Sequence, residues 1–463
     1  MLRATKLVCT LGPASEHRVG ELVDAGMDVA RINCSHGEPD ARVRILEAVR
    51  RASGQGGRPV GVMADLSGPK VRLGDLEGGE VTLETGARFE FRPDGIGDVR
   101  GAGTTHAALA SDIEPGDRVL LADGAVELRV MERAGGAVMT EVVRGGTVRS
   151  RAGVNVPSER LSMPTISPKD EEDLRWALRS GIDMVAQSFV RRAGDVRALA
   201  GMIPDPRPVI VAKIETRPAV EDAAAILDAS DGIMVARGDL GVETPLEEIP
   251  VLQKRLVALA RDTARPVVVA TQMLESMIGS PRPTRAETQD VAQAVFDGAD
   301  AILLSAETAI GRYPVEAVRT AARILETAEI AGADFLPRGR EPGALDLEEL
   351  PLARAAAVLA RRGGAEAVAC FTRSGLTARL LSACRPGVPI HAFTPDPRAV
   401  GRMTLFHGVA PRVCEPPSDT DAMIAMMETG LRDIGVGGSV VMVASSPAGR
   451  THANLLKMHR LDV

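Results

Sequence analysis

Lys213 and Glu215 stand two residues apart in the run KIE, and Asp239 follows in RGD. If KIE ends a strand, both side chains share one face. A lysine taken out of water needs a partner, and two carboxylates beside it with no excess of cations invite a divalent ion. Two carboxylate donors, with the other positions filled by phosphate and water, suit magnesium or manganese. Arg31 adds a planar fork that matches phosphate oxygens. Such a set does phosphoryl transfer, where catalysis is mainly positioning and charge stabilisation. Taken singly, each polar residue has an ordinary explanation, because loops begin at strand ends. Their convergence carries the reading.

The elements that must position these groups are legible in the periodicity. Eight short apolar runs, at 6–11, 28–33, 60–65, 182–187, 209–214, 232–236, 266–271 and 301–305, alternate with amphipathic stretches such as 42–52, 169–179, 251–263 and 315–328. That alternation predicts parallel strands joined by crossover helices. Eight such units predict a (β/α)8 barrel of the TIM type, with its chemistry at the C-terminal strand ends. Those ends read Arg31 to Gly37, Asp65 to Lys70, Lys213 to Glu215, Arg237 to Asp239, Thr271–Gln272 and Ser305 to Glu307.

The count works only if residues 74–153 are set aside. They carry alternating runs at 80–83, 118–121 and 138–143 between Gly and Pro turns, which predicts a small all-β lid, a β-barrel, inserted after the third strand. The barrel then comprises 1–73 and 154–334. A Pro- and Gly-bearing stretch at 335–349 reads as a linker, and 350–463, with strand runs at 367–372, 388–393 and 439–444, as a separate α/β domain.

Composition narrows the partners. A net charge of −7 with one Trp and one Tyr argues against nucleic acid. Five cysteines without paired spacing predict reduced thiols, and no run reaches membrane length, so a cytoplasmic protein without membrane partners is expected. Only six of the 55 basic residues are lysine. A chain that uses Arg by default keeps some lysines where a compact ammonium is needed. Cys34 reads as packing, and Met273 and Met277, four apart, as the core face of a helix after the seventh strand.

Nine runs resemble pyruvate kinases, in the same order: 9–15 (CTLGPAS), 31–37 (RINCSHG), 65–72 (DLSGPKVR), 153–157 (GVNVP), 213–215 (KIE), 235–241 (VARGDLG), 270–277 (ATQMLESM), 281–287 (PRPTRAE) and 304–308 (LSAET). The resemblance covers essentially the whole chain. It implies phosphoryl transfer from phosphoenolpyruvate to ADP, giving pyruvate and ATP, with two divalent ions per site during turnover and a homotetrameric assembly. Glu215 and Asp239 would hold the enzyme-bound ion. Lys213 would stabilise the transferring phosphoryl and the enolate, and Arg31 would bind the phosphoryl group. Backbone amides of Gly238 and Asp239, with the Thr271 hydroxyl, would take the substrate carboxylate. Enolate protonation would run through water near Thr271 and Ser305. Asn33, His36 and Arg72 would lie on the nucleotide side.

Two readings depart from the bare resemblance. Where many relatives carry Lys before GVNxP this chain has Ala152, which leaves the lid's contact with nucleotide open. Lys70 resembles the subgroup that needs no potassium, its ammonium replacing an ion otherwise held near Asn33, Ser35 and Asp65. In the C-terminal domain, Thr372, Arg373, Ser374, Gly375 and Thr377 could cradle the phosphate of an allosteric effector. A catalytically silent, metabolite-binding paralogue is the alternative; it would require loss of Lys213, Glu215, Asp239 or Thr271, and all four are present.

Overall fold

The computed structural model describes residues 3–55, 58–122, 124–332, 343, 347–447 and 452–461. Eight parallel strands close into a barrel: β1 (Lys6–Thr10), β2 (Val29–Asn33), β3 (Gly61–Asp65), β4 (Met184–Gln187), β5 (Val209–Ile214), β6 (Gly232–Ala236), β7 (Val267–Ala270) and β8 (Ala301–Leu304). Each matches an expected run to within two residues. The strands are apolar along nearly their whole length because both faces are covered, one by the barrel interior and one by the helices.

Local signals set the helix ends. Pro168–Arg179 starts with Pro at its first position behind a Ser167/Asp170 capping box, and Arg285–Asp297 starts behind Thr284/Glu287. Each such cap contributes about 1 kcal/mol. Gly298, at φ +97°, closes the second helix in the left-handed conformation that glycine adopts without strain.

After β3 the chain leaves the barrel. The insert builds a six-stranded sheet and a two-stranded ribbon, Glu80–Leu83 with Gly146–Arg149, around its own core of Phe89, Phe91, Val119, Leu121 and Leu128. Val154–Asn155 still pairs with Arg118–Leu121, two residues past the expected boundary, because its ladder completes the sheet edge. Most of the expected linker at 335–349 lies outside the described residues.

The C-terminal sheet has five strands, β9 (Ala367–Phe371), β10 (Ile390–Thr394), β11 (Val409–Val413), β12 (Gly438–Ala444) and β13 (Leu455–Leu461), in the order β11-β10-β9-β12-β13, with β13 antiparallel. It docks on the floor of the barrel. Apolar residues of the barrel interior, Val8, Val29, Met63 and Val211 among them, belong to one buried cluster with Leu350, Ala356, Met403 and Phe406 of the C-terminal domain. Among the described residues no helix is long and apolar enough to cross a membrane.

Candidate active site

Side-chain alternation carries the barrel interior up to the site. Val8, Val29, Met63, Ala186 and Val211 all belong to the inner apolar cluster. Two residues further along the same strands, on the same face, come Thr10, Arg31, Asp65, Ser188 and Lys213. One layer of the barrel is therefore apolar and the next, at the C-terminal rim, is polar. Ser188 is missing from the expected site residues, and its place two residues after Ala186 is the one sequence signal for it.

These groups form a closed charge network. Lys213 Nζ lies 2.8 Å from Glu215 Oε1 and 3.3 Å from Asp65 Oδ1, and donates to Ser188 Oγ at 2.7 Å. Arg31 Nε donates to Asp65 Oδ2 at 2.7 Å, and its Nη1 to Thr10 Oγ1 at 2.8 Å. Asp65 and Glu215 are 1% and 2% exposed, so each charge depends on these partners rather than on water. Burial opposes the Lys213 ammonium, but Asp65 and Glu215 outweigh it and hold its pKa above the ordinary lysine value. Burial likewise opposes the Asp65 carboxylate, and Lys213 and Arg31 reverse that, keeping it below the usual range. For Glu215 burial wins: with the charge of Asp239 adding to it, the carboxyl is raised despite Lys213.

That raised carboxyl bears on a divalent ion. Glu215 Oε2 accepts the Phe189 amide at 2.7 Å, which fixes the carboxylate, while Asp239 is partly exposed and its Oδ1 lies 3.2 Å from Lys70 Nζ. Two carboxylates from successive strands that repel each other, both hard oxygen donors, fit magnesium or manganese bound with substrate and water. Among the described residues no group of three or more His, Cys, Asp or Glu is placed to hold a metal, so a two-carboxylate site completed by substrate is the arrangement these residues offer.

Thr271 and Gln272 follow β7 with φ of +70° and +54°. A β-branched residue there is a true outlier, costing on the order of 1–3 kcal/mol. Arg237 holds the turn: its Nη2 donates to Thr271 O at 2.6 Å and to Met273 Sδ at 2.9 Å, its Nε to Ala270 O at 3.3 Å, and its Nη1 to Asp290 at 2.6 Å. Thr271 Oγ1 accepts the Gly238 amide at 2.8 Å and donates to Ala270 O at 2.6 Å. In the sequence Arg237 stands only as a strand-end residue before Gly238 and Asp239, and nothing local reveals that its guanidinium crosses to the next strand.

Of the residues expected to meet the nucleotide, Asn33 accepts the Ser35 amide at 3.0 Å, Arg72 Nη1 donates to Arg151 O at 3.2 Å, and His36 is exposed. Partial burial, then Arg72, Arg31 and Lys169 nearby, lower the His36 pKa and keep the ring neutral at pH 7. Ser305 follows β8, and its amide donates to Glu307 Oε2 at 2.7 Å; Glu307 Oε1 accepts the Leu274 amide at 3.0 Å. Glu307 thus ties the β7 and β8 turns together. Cys34 is buried, and burial pushes its thiol up to about 12, as a packing residue requires.

One expectation changes. Met273 and Met277 are fully buried, but in no common α-helix: Met273 lies in a bend and Met277 in the short 3-10 turn Glu275–Ile278, because the left-handed pair at Thr271–Gln272 prevents a helix from starting there. In the C-terminal loop, the Thr372 hydroxyl accepts the Gly375 amide at 3.0 Å and the Thr377 hydroxyl donates to buried Glu349 at 3.1 Å. Of the five residues read as a phosphate cradle, Arg373 and Ser374 are exposed and two hydroxyls are already engaged. The closing loop at 445–451 lies partly outside the described residues.

Residues 2–318 match the family described as pyruvate kinase, barrel domain, and residues 351–459 pyruvate kinase, alpha/beta domain. A pyruvate kinase of Corynebacterium efficiens is 42% identical over 479 residues, covering 100% of this chain and 98% of that protein. One from Mycobacterium tuberculosis is 42% identical over 473 residues, covering 100% and 99%. The crystal structure of a pyruvate kinase from Cryptosporidium parvum superposes with a TM-score of 0.90 at 33% identity, over 99% of this chain and 96% of that one. Two domain matches in sequence order, full-length relatives and a shared fold around this rim of charged residues together show that the chain belongs to the pyruvate kinase family.

Proposed function

We propose the following division of labour for the family's reaction, phosphoryl transfer from phosphoenolpyruvate to ADP. Lys213 is the observation that carries it: a buried ammonium, held protonated by Asp65 and Glu215 at the centre of the rim. Its charge is oriented before substrate arrives, so it stabilises negative charge that develops on the phosphoryl and enolate oxygens without reorganisation. Arg31 is held by two of its five donors to Asp65 and Thr10, which leaves others for phosphoryl oxygens. The Gly238 and Asp239 amides with Thr271 bind the carboxylate, which competes with Thr271 Oγ1 for the Gly238 N–H. Water near Thr271 and Ser305 delivers the proton to the enolate.

Glu215 and Asp239 would hold the divalent ion, which neutralises charge on the phosphoryl oxygens when bound. Asn33, His36 and Arg72 face the nucleotide, with neutral His36 donating or accepting a hydrogen bond rather than supplying charge. Lys70, on Asp239 rather than on Asp65, places a fixed cation beside the carboxylate pair. It substitutes for a monovalent ion, so potassium is not required.

The reaction is checked by coupling pyruvate formation to lactate dehydrogenase with phosphoenolpyruvate, ADP and magnesium in tetramethylammonium buffer. Pyruvate formation dependent on magnesium and insensitive to potassium is the expected result. Absence of turnover would favour the silent paralogue, and stimulation by potassium of more than about tenfold, roughly 1.4 kcal/mol of barrier, would remove the role given to Lys70.

A further inference from the structure

The insert returns to the barrel along a strap, residues 158–163, that both bodies hold. On the insert's side, Arg160 pairs with Glu114 at 2.6 Å and with Asp117, and the Ser162 amide and hydroxyl both donate to Asp112 Oδ2 at 2.9 Å. On the barrel's side, the buried Ser158 donates through Oγ to Glu243 Oε2 at 2.7 Å. Arg191 donates to the carbonyls of Leu161 and Met163, the latter at 2.6 Å. Side chains at 160 and 162 thus serve the insert, while the Ser158 hydroxyl and two backbone carbonyls serve the barrel.

The barrel's two anchors come from the segments that hold the carboxylates of the rim. Glu243 closes the helix Arg237–Glu243, one turn after Asp239 and on the same face. Its Oε2 also accepts the amide of Arg217, at 3.0 Å, two residues after Glu215. Arg191 stands two residues after Phe189, whose amide fixes Glu215. Among the described residues no other donor and no cation meets Glu243, so Ser158 and Arg217 set the direction of its carboxylate. The crevice where these groups meet, lined by Lys70, Ser158, Phe189, Arg191 and Glu243 among others, leaves about 30 Å³, room for about one water. The insert therefore seats on the rim through side chains rather than through a layer of solvent.

What the insert holds gives this seating a consequence. Arg72, expected to meet the nucleotide, donates its amide to Thr105 Oγ1 at 2.9 Å and its Nη1 to Arg151 O, both in the insert. Lys213 and Arg31, which serve the phosphoryl group in the proposed reaction, are held by Asp65, Ser188, Glu215 and Thr10 of the barrel. A shift of the insert moves Arg72 and leaves those two in place.

We propose that Glu243 is a positioning residue for the nucleotide: through Ser158 it seats the insert, and with it Arg72, in register with the carboxylates of the rim. It rests on the roles given to Arg72, Glu215 and Asp239 in the proposed reaction.

Steady-state kinetics with ADP and phosphoenolpyruvate varied separately test it, on Ser158→Ala, Glu243→Ala, Glu243→Gln and the Ser158→Ala/Glu243→Ala pair. Each alanine variant should raise KM for ADP about tenfold, the scale of one hydrogen bond to a charged acceptor, and leave KM for phosphoenolpyruvate within about twofold. The pair should lose no more than Glu243→Ala alone, since both changes remove the same contact. Glu243→Gln should behave as the unmodified chain, because an amide oxygen accepts from the same two donors. Without substrates, amide hydrogen exchange in residues 154–163 should quicken in Ser158→Ala, and that of the barrel helix Arg285–Asp297 should not change. The proposal is overturned if KM for ADP does not move, if both KM values rise together, if the two losses add, if Glu243→Gln is as impaired as Glu243→Ala, or if the strap exchanges at its unmodified rate. A lower melting temperature with normal KM values would assign the contact to the fold alone and end the proposal as well. Failure of the unmodified chain to turn over would remove the reading of the rim, and calorimetric titration with magnesium and ADP, beside the exchange rates, would then decide the proposal.

Discussion

The two ends of the barrel handle buried charge differently. At the rim, Lys213 and Arg31 share Asp65, Lys213 also meets Glu215, and Lys70 meets Asp239, so each of these cations lies against a carboxylate. At the floor, Asp28 takes Arg3, Asp300 takes Arg385 and Asp231 is divided between Arg207 and Arg265, but Arg402 and Lys6 reach only the carbonyls of Pro206 and Val409 among the described residues. A network complete before ligand arrives can orient charge toward a transition state without reorganising. At the floor the ion pairs tie strand starts to neighbouring segments, and the cations left on carbonyls face no reacting group.

The sharpest way to break that contrast is to remove the hub of the rim. Lys213→Met should lower kcat by about three orders of magnitude or more while phosphoenolpyruvate still binds, because the lost interaction acts mostly in the transition state. Equal losses of kcat and substrate affinity, measured by steady-state kinetics and direct titration, would show that Lys213 serves ground-state binding instead.

Arg237 probes whether the rim needs its backbone held as well as its charges. Lysine cannot reproduce a fork that reaches the carbonyls of Ala270 and Thr271 while gripping Asp290. Arg237→Lys should therefore cost on the order of 100-fold in kcat/KM, a scale expected when a positioning contact shifts a site by about 1 Å. A structural role alone would lower the melting temperature and leave kcat/KM of the folded fraction intact, so both are measured on the same preparation.

Lys70→Glu converts a paired cation of the rim into a repelling anion beside Asp239. Potassium should then stimulate the variant by about tenfold, where the unmodified chain responds little. Equal potassium titrations for both proteins would separate Lys70 from the monovalent-ion question.

The smallest effect belongs to the floor. Burial pushes Lys6 down to about 8, against some raising by Asp28. The unfolded chain therefore holds this proton up to about pH 10.5 while the folded chain releases it near 8. Between those values the unfolded state binds more protons, so this group makes stability rise with pH. Calorimetry from pH 7 to pH 10 should show the melting temperature of the unmodified chain rising relative to that of Lys6→Met by a few degrees, modest for a chain of this size. A relative fall would mean that Lys6 is stabilised as a cation, as Lys213 is.

Much of this was legible in the sequence because it depends on local periodicity. The eight barrel runs, the capped helices and the place of Lys213 and Glu215 at the end of β5 all follow from alternation and end signals. The strands β11 and β13 escaped because they are mixed in polarity: β11 carries Pro411 and Arg412, and β13 alternates with Lys457 and His459 at a partly exposed edge. The helix expected at Met273 failed for another local reason, a backbone conformation that a Thr–Gln pair does not announce.

What the sequence determined by itself is which groups stand at the end of which strand, since side-chain direction follows from position along a strand. Partner choice was decided only by the tertiary structure, because it joins residues far apart in the chain: Asp65 to Lys213, Arg237 to Asp290, Lys70 to Asp239. The same holds for the hydroxyls of Thr372 and Thr377, of which the second is engaged by Glu349 from another element, and for Arg379, whose Nε is buried without a partner among the described residues. Composition states how many charges a chain carries; only packing states which of them are left without a counter-charge, because that depends on what burial brings within about 4 Å.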